Sequence, residues 1–210
     1  MTLLILIRHG QSVTNRDGIL SDSTSLYPLT DVGRTQAIGV ADELRKKLSV
    51  SSLYTSPVLR AKQTAQIIGT AIGKKPIVDK RLSERAWGIT EGKPARLGEW
   101  RFHMTKAESK SVESWRSIEK RMAGFADSVS GRHETIVAVS HVDPIAALTA
   151  HSIGMPDAEL QFYALVPVFA SMSIFCETGG DYKIMATGLP TLTQGVLKEI
   201  GRCVKGSGRP

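Results

Sequence analysis

Short runs of branched apolar residues alternate with segments of helical periodicity along this chain, and that alternation restricts its fold more than any other feature. Leu3-Leu4-Ile5-Leu6-Ile7 is the heart of a first strand over Thr2–Ile7. Thr30 and Asp31 then make a helix start before Ile38, Ala41, Leu44 and Leu48, whose 3-3-4 spacing gives one apolar face. Ser52–Thr55 predicts a short second strand. Ser56-Pro57 reads as an N-cap followed by proline at the first helical position, and the helix carries Ala61, Ala65, Ile68 and Ile72 to a stop at Gly73. Lys75–Leu82 predicts a third strand. Residues from about 94 to 130 are polar and helical in pieces, with Trp100, Trp115, Ile118, Met122 and Phe125 as anchors. Ile136-Val137-Ala138-Val139 predicts a fully buried central strand, followed by a helix near Pro144–Ile153. Phe162–Cys176 and Tyr182–Ala186 supply two more strands. The expectation is an α/β fold, a three-layer αβα sandwich with a mostly parallel central sheet.

At 210 residues the chain can bury one sizeable core, and no linker divides it, so residues 1–210 read as a single domain. The run Leu3–Ile7 is far too short for a signal-peptide core or a membrane span, which predicts a cytoplasmic protein with no membrane partner. Cys176 and Cys203 are the only cysteines. They make neither a disulfide framework nor a Cys-x-x-Cys motif and read as buried or incidental thiols. The net charge of +7 favours anionic partners of some kind. With aromatics at 6% and neither zinc-finger spacing nor an interleaved basic-aromatic stripe, no nucleic-acid partner is expected. Part of the charge (Lys198, Arg202, Lys205, Arg209) sits in a tail expected to fray over about 203–210. The oligomeric state is not legible.

In sheets of this kind the ligand crevice lies beyond the carboxyl ends of the strands. The first predicted strand ends in Arg8-His9-Gly10, and the second in Tyr54-Thr55-Ser56-Pro57 with Arg60 in the next helical turn. The third ends in Arg81-Leu82-Ser83-Glu84-Arg85, and the β-branched run in Ser140-His141. Two arginines, two histidines and a carboxylate thus meet on one rim. Arginine grips phosphate bidentately, neutral imidazole can attack phosphorus, and glycine lets backbone approach a ligand. Taken singly each has a bland reading, as a solvated helix residue, a surface ion pair or a core histidine; their shared position does not. Two other motifs fail. Gly69-Thr70-Ala71-Ile72-Gly73-Lys74-Lys75 has the wrong glycine spacing for a P-loop and closes a helix, and His133, His141, His151 and Asp143 lack metal-ligand spacing, so no metal is expected.

Five blocks occur in order over residues 3–150: Arg8-His9-Gly10-Gln11-Ser12-Val13-Thr14-Asn15, Leu29-Thr30-Asp31-Val32-Gly33-Arg34-Thr35-Gln36-Ala37, Tyr54 to Ala65, Leu82-Ser83-Glu84 with Gly88 and Glu91-Gly92, and Val139-Ser140-His141. In these the chain resembles the histidine phosphatase superfamily, in its phosphoglycerate mutase-like branch. The resemblance implies that His9 becomes a phosphohistidine, that Arg8, Arg60 and His141 hold the phosphoryl oxygens, and that Glu84 protonates the leaving oxygen. It further assigns substrate contact to Asn15, to the segment near Ser21 and to the amide of Val142. Many relatives have glycine where Val142 stands, and a branched side chain there narrows the pocket. The chemistry implied is metal-independent hydrolysis of a small phosphomonoester without cofactor. The alternative is a phosphoglycerate mutase using the same phosphohistidine, with 2,3-bisphosphoglycerate as primer. Ser21-Asp22 in place of the mutases' threonine-glycine pair, and a compact insert, favour the phosphatase. Against it, Lys93, Arg96, Arg101, His103, Lys106 and Lys110 crowd a helical insert over the active site, at about 92–130, where they could hold a second anionic group. A remote third reading, a non-enzymatic nucleic-acid-binding or signalling module, predicts a lost nucleophile or acid, and both are present.

Overall fold

The computed structural model describes residues 1–95, 104–155 and 167–205. The first run forms strand β1 (Leu3–Arg8), every residue of it buried except Arg8 at its end. β1 lies between a parallel neighbour, β4 (Thr135–Ser140), and an antiparallel one, β5 (Met172–Thr178). β2 (Ser52–Thr55) pairs in parallel with β4 and with β3 (Ile77–Val78), and β6 (Asp181–Leu189) closes the other edge against β5. The order is β3-β2-β4-β1-β5-β6, so the four strands on one side are parallel, β5 alone runs against them, and β6 turns back antiparallel to β5.

Alternation along β1 divides the core in two. Leu4 and Leu6 join Phe125, Ile118 and Met122 of α5 (Trp115–Val129) and the apolar run of α6 (Val142–Ser152) on one face. Leu3, Ile5 and Ile7 meet α2 (Asp31–Lys47), α3 (Leu59–Ile72) and α7 (Gln194–Lys205) on the other. The three-layer αβα expectation is what is found. Thr30 caps α2 by accepting from Gly33 N; of two short helices, α1 (Val13–Asp17) follows β1 and α4 (Lys106–Ser111) packs on a 3-10 turn over Gly88–Thr90.

Several local expectations are corrected. Lys75–Leu82 keeps only two paired residues, because Ile77 and Val78 are exposed at the sheet edge and the Asp79 side chain caps a 3-10 turn over Lys80–Leu82. Helix α3 starts at Leu59 with Val58 as its cap, not at Ser56-Pro57, and the Ser56 hydroxyl accepts from Val58 N. β5 begins at Met172; residues 162–166 of the predicted strand lie outside the described residues, as do Trp100, Arg96, Arg101 and His103. The two cysteines are not free thiols. Cys176 on β5 and Cys203 on α7 form a disulfide with a Cα separation of 6.1 Å, a contact that their spacing in the chain does not reveal. Residues 203–205 accordingly belong to α7.

Candidate active site

The loop after β1 is fixed from three sides. His9 N donates to Ser140 O on β4, Gly10 N donates to Thr64 Oγ1 on α3, and Thr30 N donates to Gln11 O. The loop packs so closely on the start of α2 that a Cβ at Gly10 would run into the Gly33 carbonyl. Arg8 is oriented by Pro167 O, which accepts from its Nη1 at 2.7 Å, and by the Phe169 ring, 4.0 Å from its guanidinium carbon. Next to that ring Ala170 takes φ 50°, a strained value for a residue with a Cβ, and its N–H donates to Arg8 O.

His9 is 1% exposed, and its Nδ1 donates to Gly10 O at 2.7 Å, which leaves Nε2 as the ring nitrogen with a lone pair. That lone pair accepts from Arg60 Nε at 2.9 Å. Burial first, then Arg60 and Arg8, hold the imidazole well below its usual range, so it is neutral at physiological pH. Arg60 also donates through Nη2 to Ser21 O at 2.9 Å. His141, fully buried as the N-cap of α6, has its ring centroid 5.0 Å from that of His9. Its Nε2 lies 2.8 Å from Ser56 Oγ; since that oxygen accepts from Val58 N, its proton is available to Nε2, and Nδ1 then carries the ring proton. Among the described residues, Arg8 Nε, Arg60 Nη1 and His141 Nδ1 are buried with no hydrogen-bond partner. Three buried donors converging on one imidazole make an anion site.

Glu84 completes the group. Its Oε2 stands 3.8 Å from Arg60 Nη2 and 3.9 Å from His141 Nδ1, and its Oε1 accepts from Arg85 N. Burial, then Asp143, push its carboxyl up to about 7 against the pull of Arg60 and Arg8. All five residues read from the strand ends are thus within one cluster. The other three are placed differently. Asn15 spends its amide oxygen on Ser12 N and Oγ as a helix cap. Ser21 offers Arg60 its carbonyl while its hydroxyl donates to Glu91. Val142 opens α6, the positive end of whose dipole faces the site, and its side chain packs toward the α5–α6 core. Lys93 pairs with Glu108 at 2.8 Å, and Lys106 and Lys110 are exposed on α4.

Sequence reading missed Ser56, which it took for a cap, and Asp143 with Arg85. It also missed the neighbouring carboxyls of Asp22 and Glu91 beside Arg60, where burial and the hydrogen bond to Glu91 hold Asp22 up to about 6. Asp143 stood two residues after His141 in plain view.

A family model described as the histidine phosphatase superfamily (branch 1) matches residues 4–188. The chain belongs to the histidine phosphatase superfamily. Within it, the chain is 35% identical to the 2,3-bisphosphoglycerate-dependent phosphoglycerate mutase of Thermoplasma acidophilum, over 94% of this chain and 98% of that one. It is 32% identical to a protein named as a phosphoserine phosphatase in Hydrogenobacter thermophilus, over 74% of this chain and 80% of that one. Among solved structures, Bacillus stearothermophilus YhfR superposes with a TM-score of 0.77 at 25% identity, over 90% of this chain and 98% of that one. No helix among the described residues is long and apolar enough to cross a membrane.

Proposed function

We propose that the protein hydrolyses a small phosphomonoester through a phosphohistidine on His9. The observation that carries this is the neutral, buried His9, its Nδ1 proton locked on Gly10 O, facing the unpartnered donors of Arg8, Arg60 and His141. An incoming phosphoryl group takes over the Arg60 donors and frees the His9 Nε2 lone pair. Nε2 attacks phosphorus as the P–O ester bond breaks, and the leaving oxygen takes the Glu84 proton. Glu84, now a carboxylate, accepts a proton from water as that water attacks the phosphohistidine and the P–N bond breaks. The guanidinium groups stabilise charge on the transferring group throughout. No step calls for a metal or an organic cofactor.

Water as acceptor is supported by Asp22 and Glu91 beside Arg60, since carboxylates there repel the second anionic group that a mutase ligand carries. The mutase reading is favoured by the Thermoplasma relative, which matches almost end to end; in that case 2,3-bisphosphoglycerate primes His9. Either way residues 1–210 act as one catalytic domain, a small phosphorylated metabolite is the only partner required, and the part of the expected 92–130 insert that ends at Val112 helps choose it, since Trp115–Val129 is α5 and packs on the sheet as part of the core. In support, Val112 and Met104 of that segment pack on Leu20 and Trp87 beside the clamp. The test is incubation with 3-phosphoglycerate plus 2,3-bisphosphoglycerate. Release of inorganic phosphate without 2-phosphoglycerate is expected, and formation of 2-phosphoglycerate would overturn the hydrolase assignment.

A further inference from the structure

We infer that Asp143 is a positioning residue for the proton donor, its buried carboxylate setting the charge against which Glu84 keeps its proton. This rests on the role of Glu84 proposed above. Two arginines close to a carboxyl favour its ionised form, which cannot donate. Arg60 Nη2 lies 3.8 Å from Glu84, and Arg8 reaches the same cluster from the end of β1. Burial is the first counterweight to them, and the fold supplies a second.

Asp143 sits in the first turn of α6, 2% exposed, two residues after His141. Its Oδ2 is 3.6 Å from Nη1 of Arg85, the chain neighbour of Glu84. Arg85 is 6% exposed and is itself anchored by donating from Nε to Glu113 O at 2.7 Å. The chain is thus folded so that Glu84-Arg85 and His141-Val142-Asp143 lie side by side, with the cation of one paired to the anion of the other. The α6 N-terminus and Arg85 both favour negative charge on Asp143. Asp143, against the chain neighbour of Glu84 and two residues from His141, which stands 3.9 Å from the Glu84 carboxyl, acts on Glu84 in the same direction as burial.

The groups facing Glu84 can be named element by element. Arg8 and His9 come from the end of β1, Arg60 from α3, and His141 and Asp143 from β4 and α6. Arg121 comes from α5, its Nη2 donating to the Glu84 carbonyl at 3.2 Å, and Arg85 from the same segment as Glu84. Both histidines are held well below their usual range and are neutral, so Asp143 is the carboxylate in this set that opposes the arginines.

The direct test is a carboxyl ¹³C NMR titration of Glu84 in the full-length protein, with the Glu84 signal assigned by its loss in Glu84→Gln. Asp143→Asn is expected to lower the Glu84 midpoint by about one pH unit or more, and Arg85→Gln to raise it, because the pair contributes opposite charges. Asp143→Glu should restore the wild-type midpoint. A purely structural role moves neither midpoint, or both in the same direction, and either result overturns the inference. If Asp143→Asn does not fold, Arg85→Gln decides alone, an unmoved midpoint being contrary. The reading of Glu84 as proton donor fails separately, if Glu84→Gln retains wild-type turnover.

Discussion

At the scale of single residues, His9 and Glu84 share one buried pocket in complementary states. One is an imidazole kept neutral by burial and two arginines, the other a carboxyl kept protonated toward neutrality. The pH dependence of kcat/KM reports these free-enzyme groups. Because Glu84 must carry its proton to act, and its carboxyl is up to about 7, activity is expected to fall as pH rises through about 7. Because His9 must be unprotonated and is held well below its usual range, the acidic limb belonging to it is expected well below that of an ordinary histidine. A wild-type profile rising through pH 8 and beyond contradicts the assignment. Arg60→Ala removes the donors aimed at phosphate and is expected to cost about 10²–10³ in kcat/KM; steady-state kinetics checks it. Arg8, His9, Arg60 and His141 were legible because strand ends converge in any parallel sheet, whereas Glu84 is brought to them by the 3-10 turn over Lys80–Leu82 and not by a strand end. Asp143 and Ser56 were not, since a buried carboxylate two residues into a helix looks like an ordinary N-terminal acid, and Ser-Pro looks like an ordinary cap.

At the scale of elements, the site is placed by the burial of β1 and β4 and by the close seat of the β1 loop on α2. Gly33→Ala drives a methyl into the Gln11 backbone, so the loop carrying His9 must shift. The expected outcome is a folded protein with kcat reduced at least about tenfold, since small misplacements are costly to chemistry; circular dichroism and kinetics together read it. Phe125 is fully buried beneath the sheet, and Phe125→Ala is expected to destabilise by about 3–5 kcal/mol in urea unfolding. Central elements were easy to read because burial on both faces leaves long apolar runs. The edge was not: Ile77-Val78 has strand-forming residues but nothing to cover them, so pairing stops after two residues.

At the scale of the whole molecule, the sandwich is closed by α7, which no strand-end argument reaches. The Cys176–Cys203 bond fastens that helix to β5 across 27 residues of sequence. Reduction, or Cys203→Ser, is expected to lower stability by about 2–4 kcal/mol while leaving turnover at 25 °C intact, because the bond lies in the core between the sheet and α2, α3 and α7 and neither cysteine touches the site. Calorimetry with and without reductant checks it, and an unchanged Tm is the contrary result. Two cysteines in a chain of this size carry no pairing signal, so only the tertiary structure brings them together.

Everything proposed for this fold meets at one bond, between phosphorus and His9 Nε2. The most direct measurement is rapid quench into alkali after mixing with a ³²P-labelled phosphomonoester substrate, followed by peptide mapping. An alkali-stable, acid-labile phosphoryl group is expected on the peptide carrying His9, absent in His9→Ala together with turnover. A His9→Ala protein that turns over at the wild-type rate and forms no phosphoenzyme would contradict it.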